Sequence, residues 1–241
     1  MKTILIPCIF LIASSCALIF NTADFEDTEG KQNIVSKYND DNIVYKTYRT
    51  FVYQIDKDSI SKQTSLIHLK VLPGDLFKQT KIKYKYISEN SNSTSDSTDF
   101  WELTGLIENS SNCWLHPPRS KFYELEFSAF PEIRKAKNKI TPKWKSKIYT
   151  GNSWGEYKNI TIKSSYIHLN DTLIKFKNDL IQCNVISASA KSKFGKVQSK
   201  FYWSEKYGFI ELNYYFNKET IKLKLIDVID NSNLPNKNIG N

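Results

Sequence analysis

Alternation of apolar and polar side chains with a period of two constrains this chain more than any other feature of its sequence. In Lys81-Ile82-Lys83-Tyr84-Lys85-Tyr86, lysines take one face while Ile82, Tyr84 and Tyr86 take the other. Ile210-Glu211-Leu212-Asn213-Tyr214-Tyr215-Phe216-Asn217 is apolar at its even positions, and Ile221-Lys222-Leu223-Lys224-Leu225 repeats the pattern. Successive side chains of a strand point to opposite faces, so each segment reads as a half-buried antiparallel strand. Further strands are expected at 43–54, 64–72, 101–107, 121–127, 143–150, 158–169, 171–177, 180–190 and 196–203.

Turn-forming residues separate these segments: Pro73-Gly74-Asp75, Gly151 to Gly155, Asn170-Asp171, Phe194-Gly195-Lys196 and Asn217-Lys218-Glu219. The 14 Tyr, 14 Phe and 5 Trp, against a single Met, favour strands further. One short helix is expected around 129–140, and no long amphipathic helix is evident. The predicted fold class is therefore all-β: an antiparallel meandering barrel or a strongly curved half-barrel sheet with few short helices.

The first residues do not belong to that pattern. Lys2 is followed by an apolar run from Ile4 to Phe20, interrupted by Pro7, Ser14 and Ser15, which is the layout of an export signal. Leu11-Ile12-Ala13-Ser14-Ser15-Cys16 resembles the bacterial lipobox, in which small residues precede a lipidated cysteine. That resemblance implies cleavage before Cys16 and a diacylglyceryl group on its thiol. Two alternatives stay open: cleavage after Ala17, and an uncleaved span at the lower limit of membrane thickness. The sites at Asn92, Asn109, Asn159 and Asn170 would also suit a secreted glycoprotein, although an Asn- and Ser-rich chain generates such triplets by chance.

The expected organisation is a signal peptide at 1–15, a lipidated Cys16 with an acidic tether to 41, a single domain at 42–229 and a disordered tail at 230–241. The tether holds six acids against two lysines, whereas residues 42–241 carry 31 basic and 19 acidic side chains. Such a domain suits an anionic neighbour, whether headgroups or an anionic glycan. Export argues against nucleic acid. Segment 88–99 is polar and of low complexity, and reads as an exposed loop.

Chemistry-bearing candidates are sparse. Gly151-Asn152-Ser153-Trp154-Gly155 matches a nucleophile elbow, but that motif needs a following helix, and Asn159-Ile160-Thr161-Ile162 reads as a strand. No His follows His168, so the chain order of that triad is also missing. An envelope hydrolase using Ser153 or His116 is thus the alternative reading. His68 and His168 both alternate out of step with apolar neighbours and are expected on the solvent face. No metal-ligand spacing exists, and no cofactor is implied.

Cys113-Trp114-Leu115-His116-Pro117-Pro118-Arg119 carries two prolines that fix an extended backbone. It is either a recognition loop presenting Trp114, His116 and Arg119 or a stiff connection with its Trp packed inward. Glu124 and Glu126 would share a solvated strand face. Lysines 81, 83 and 85 would read an anionic surface or simply keep a sheet soluble. Trp101, Trp144, Trp154 and Trp203 are candidates for glycan stacking or for core filling. Cys8 leaves with the signal, so Cys113 and Cys183 are either a disulfide of an oxidising compartment or two buried free thiols.

The lipobox, Leu103-Thr104-Gly105-Leu106-Ile107-Glu108-Asn109, the Trp114-to-Arg119 segment and Phe201-Tyr202-Trp203-Ser204-Glu205-Lys206-Tyr207-Gly208-Phe209-Ile210 together resemble uncharacterised lipoproteins of the Bacteroidetes, of flavobacterial type. The resemblance implies an envelope location, at the outer membrane, and a single domain. It supplies no active site. Its partners would be the bilayer through the anchor, and another envelope protein or an apolar or anionic glycan ligand.

Overall fold

The computed structural model describes residues 44–57, 65–76, 79–88, 101–118, 122–137, 139–150, 156–217 and 219–231. Fourteen strands follow one another: β1 (Arg49–Lys57), β2 (Ser65–Leu76), β3 (Gln79–Ser88), β4 (Trp101–Glu108), β5 (Asn112–Leu115), β6 (Glu132–Ala136), β7 (Lys139–Ile140), β8 (Lys143–Tyr149), β9 (Thr161–His168), β10 (Thr172–Phe176), β11 (Asp179–Ser192), β12 (Gly195–Ser204), β13 (Gly208–Tyr215) and β14 (Thr220–Asp230). They form one antiparallel sheet in the order β7-β6-β5-β4-β3-β2-β1-β14-β13-β12-β11-β9-β8, with β10 paired to β11. The fold is all-β, a strongly curved sheet that does not close.

The expected periodicity sets the inner face. Ile82, Tyr84 and Tyr86, then Ile210, Leu212 and Tyr214, then Ile221, Leu223 and Leu225 are all buried; Lys83 and Lys85 between the first set are part-exposed and Lys222 and Lys224 between the last are exposed. Register links these faces into continuous rows. One runs Trp144, Tyr166, Ala188, Ser199, Tyr214, Ile221 across six strands. Inward aromatic rings fill the curve, each removing a large apolar area from water.

The sheet begins and ends at neighbouring points of the chain, and this explains its curvature. β7 lies at one edge and β8 at the other, yet only Thr141 and Pro142 separate them. The Thr141 amide donates to the Arg134 carbonyl at 2.8 Å, while the His168 amide donates to the Pro142 carbonyl at 2.9 Å. Pro142 has no N–H to offer the first edge, so the chain passes here from one edge to the other. Beyond this point the edges separate, and the Glu132 carboxylate spans the seam. It accepts from Ser146 Oγ at 2.6 Å and pairs with Arg134 Nε at 2.6 Å, with Glu132 fully buried.

Several local expectations are corrected. Residues 123–127 are not a strand but a 3-10 helix (Tyr123–Phe127): Phe122, Leu125, Glu126 and Phe127 are all buried, so burial does not alternate as a half-buried strand requires. Glu126 is therefore not on a solvated face, and Glu124 pairs with Lys57 at 3.0 Å. The helix expected near 129–140 is instead the β6–β7 hairpin, turned by Lys137 at φ 50°. Pro73-Gly74 does not end a strand; it forms an irregularity within β2, with Gly74 at φ 82°. His168 has the opposite phase to that expected: it pairs with buried Ile186, while Ile167 and Leu169 are exposed.

Candidate functional site

The strand directions divide the molecule into two ends. Odd-numbered β1 and β3 run away from the end where residue 44 enters, and β2, β4, β12 and β14 return to it. At this entry end, Val44 and Tyr45 turn inward and are buried. Their amides both donate to the Glu108 carboxylate, each at 2.9 Å, and Arg49 donates to the Val44 carbonyl at 2.9 Å. Tyr45 packs on Phe51 with ring centroids 4.7 Å apart, and its hydroxyl accepts from the Phe209 amide at 3.3 Å. Burial, then the nearby Tyr53 and Cys113, hold the Tyr45 hydroxyl neutral by raising its pKa well above the ordinary value.

Gly208 is required for that fit. Its φ of 75° suits glycine, and a Cβ there would stand 2.7 Å from the Tyr45 hydroxyl.

An arm extends from the same end. β10 and the first residues of β11 pair only with each other, in a hairpin that runs past the last β12 partner. Its inner side packs down: Phe176 lies 4.8 Å from the Tyr207 ring, Cys183 is buried, and Lys177 pairs with Asp227 at 2.5 Å. Its outer side carries Leu173 and Leu180, which are 61% and 67% exposed.

At the far end, the segment between β5 and β6 crosses the curve of the sheet as a plug. The Tyr84 hydroxyl donates to the His116 carbonyl at 2.7 Å, and the Tyr166 hydroxyl donates to the Phe130 carbonyl at 3.0 Å. Lys57 ties the plug to the β13–β14 connection by bonding Glu124 at 3.0 Å and Glu219 at 3.2 Å. Phe127, Tyr157 and Phe194 then stack around the mouth, with Phe127 4.4 Å from Phe194.

Against this geometry the sequence candidates separate. Trp114 and His116 do not face solvent, which corrects the recognition-loop reading: both are buried, with the His116 ring 4.8 Å from Phe130 and its Nδ1 2.9 Å from the Pro117 carbonyl oxygen. The prolines stiffen a core connection, and Arg119 lies outside the described residues. The Cys113–Cys183 disulfide is also corrected. Both are free buried thiols, on β5 and β11, with seven strands between them in the sheet. Burial raises the Cys113 pKa well above the ordinary value; burial, Glu211 and Asp171 push Cys183 up to about 11, so neither is a reactive thiolate.

Ser153 and Trp154 lie outside the described residues, as does Cys16. The elbow context fails on its described flank, where Glu156–Tyr157 form a single 3-10 turn and β9 begins at Thr161. Trp144 and Trp203 fill the interior, whereas Trp101 is half exposed with Lys83 Nζ 3.7 Å from its ring centre. His68 is half-buried, and burial followed by the Lys85 charge lowers its pKa. No group of three or more metal-ligating side chains occurs among the described residues.

Sequence reasoning missed Glu108 and Glu132. Both lie in strands bounded by apolar residues, and a buried carboxylate there shows no period to read.

The fold and its entry end define a class, a curved antiparallel sheet that receives its N-terminal segment at one rim. Two solved structures are similar to it. One is a protein of YmcC-like fold from Bacteroides fragilis, described as exported: 7% identity over 78% of this chain and 99% of that one, TM-score 0.47. The other is the hypothetical lipoprotein YmcC from Escherichia coli: 11% identity over 80% and 92%, TM-score 0.37. No family profile and no curated protein matches the chain.

Proposed function

We propose that this chain is a lipid-anchored protein of the bacterial envelope, at the outer membrane, with a binding or structural rather than a catalytic role. Cys16 would carry the acyl chains, residues 16–41 would serve as the tether, and the β domain would hang from it. The observation that carries the reading is the entry of the chain. Glu108 clamps Val44 and Tyr45 into one rim, so a tether ending there gives the domain a fixed near end and a fixed far end. Several acyl chains on one cysteine hold a protein stably to a bilayer.

The far end would then face away from the membrane. Among the described residues its exposed large apolar side chains are aromatic: Trp101, Tyr149, Phe194 and Tyr215. Aromatic faces beside lysines suit an anionic glycan or another envelope protein. The hydrolase alternative gains nothing from His116, whose ring is enclosed by Trp114 and Phe130.

The test is intact mass with membrane fractionation of the wild type and Cys16→Ala in a bacterial host. A diacyl or triacyl mass on a chain beginning at Cys16, abolished by the substitution together with membrane association, is the expected result. A soluble unmodified chain beginning after Ala17 would overturn the anchor.

A further inference from the structure

The two most exposed large apolar side chains among the described residues are Leu180 and Leu173, and both lie on the outer side of the β10–β11 arm. Leu173 stands opposite Gln182 and Lys175 opposite Leu180, so the two leucines are diagonal neighbours with Lys175 and Gln182 completing the face. Neither leucine is needed to hold the arm down. That task falls to Phe176 on Tyr207 and to Lys177 on Asp227. Two exposed leucines on a docked hairpin are a cost in water that intramolecular packing does not relieve.

Their location suggests what covers them. The arm projects from the entry end, where the chain preceding Val44 joins the domain. Exposed Ile226 and Ile229 lie near the end of β14 on the same rim, so among the described residues the exposed large apolar side chains of this end are aliphatic. Aliphatic side chains enter a lipid surface readily, and exposed lysines at the same end (Lys46, Lys175 and Lys206) suit anionic headgroups.

We propose that the outer face of this arm, Leu173 and Leu180 with Lys175, is a membrane-contact site through which the domain rests on the bilayer that holds its own N-terminus. The proposal deepens the anchored-protein reading and rests on it for the identity of the surface. A tether alone leaves a domain free to swing. A weak second contact fixes its orientation, because the anchor supplies a high local concentration of lipid and little further affinity is needed.

The test uses vesicles of phosphatidylglycerol and phosphatidylcholine with two forms of the protein. The first is the Cys16→Ala chain lacking residues 1–15, which has no acyl group, so that the arm's own affinity is read. It is expected to cosediment with phosphatidylglycerol vesicles and more weakly with phosphatidylcholine vesicles. The double substitution Leu173→Asp/Leu180→Asp should weaken binding by roughly tenfold or more, since two leucines leave the lipid, while its thermal unfolding stays as in the parent. The second form is the acylated protein on vesicles, in which backbone hydrogen exchange should slow over residues 170–182 and not over 193–196.

Equal vesicle binding by parent and double variant, or no binding by either with unchanged exchange in the arm, overturns the contact even where mass shows acyl chains on Cys16. Absence of acyl mass overturns the anchor instead, and the vesicle binding of the unacylated chain still reads the arm. A concentration-dependent dimer lost in the double variant would assign the arm to a second copy and overturn the lipid assignment.

Discussion

The two ends of the sheet solve the same problem with different chemistry. At the entry end the opening is sealed by main chain: Val44 and Tyr45 fold inward and their amides are satisfied by one buried carboxylate, Glu108. At the far end it is sealed by side chains, with the Tyr123–Phe127 turn held under Lys57 and an aromatic group around Phe127. Among the described residues the exposed large apolar side chains differ likewise, aliphatic at the first and aromatic at the second. The difference teaches which end tolerates change. Buried backbone donors have no substitute partner once their acceptor is removed, whereas a lysine near the surface can be replaced by water.

The sharpest way to break the comparison is therefore Glu108→Ala. It leaves two buried amides without an acceptor and opens the packing around Tyr45, so a loss of about 2–4 kcal/mol is expected. The far-end counterpart, Lys57→Met, should lose only about 1 kcal/mol, because its ammonium and both carboxylate partners keep some contact with water. Urea unfolding of both variants measures the pair. Equal losses would show that the two seals are energetically alike, and the distinction between the ends would fall.

Between the ends lies the seam, and a second substitution sharpens the picture there. The edges are joined by main chain at Thr141 and Pro142 and by the Glu132 side chain further along. Glu132→Ala removes the acceptor of Ser146 Oγ and the partner of Arg134, and should cost about 2–3 kcal/mol. Hydrogen exchange should rise in β6 and β8 while β1 and β14, far from the seam in the sheet order, keep their protection. A uniform rise across all strands would mean that the seam is not a separate point of weakness.

These features were unequally legible in the sequence. Strands with one wet and one dry face announce themselves, and so Lys81–Tyr86, Ile210–Tyr215 and Ile221–Leu225 could be assigned by alternation alone. The plug could not. Phe122 and Leu125 to Phe130 are buried, so the run has no period to read, and a strand was the natural expectation for what proved to be a 3-10 turn. Short β5 and β6 were hidden for the same reason. The seam carboxylate was invisible because it is charged and fully buried, a combination that makes sense only with Arg134 two residues on and Ser146 across the seam in place. Trp114 and His116 show the converse error: a stiff, polar-looking motif was compatible with display, and tertiary packing turned it inward.

The smallest expected effect is in the pH dependence, and it too distinguishes the ends. At the entry end, the Lys177 hydrogen bond lowers the Asp227 pKa below its ordinary 3.8; burial opposes it, and the Lys177 charge and the Val228 amide add to the lowering. A carboxylate with a depressed native pKa contributes stability that is present above the unfolded value and lost as pH falls through the native one. Acid should therefore loosen the arm, by less than about 0.5 kcal/mol for so exposed a pair.

At the far end the sign reverses. Burial lowers the Lys57 pKa, but the hydrogen bonds it donates to Glu124 and Glu219 and the charges of those carboxylates outweigh it, and the net pKa lies above 10.5. That contribution is complete below the unfolded pKa and disappears as pH rises through the higher native value. Hydrogen exchange in residues 172–183 should thus respond at the acid extreme and in 122–127 at the alkaline extreme. Lys177→Ala should abolish the first response and leave the second. A shared response of both segments at either extreme would mean that the ends are coupled through the sheet, which the independent seals at Glu108 and Lys57 do not require.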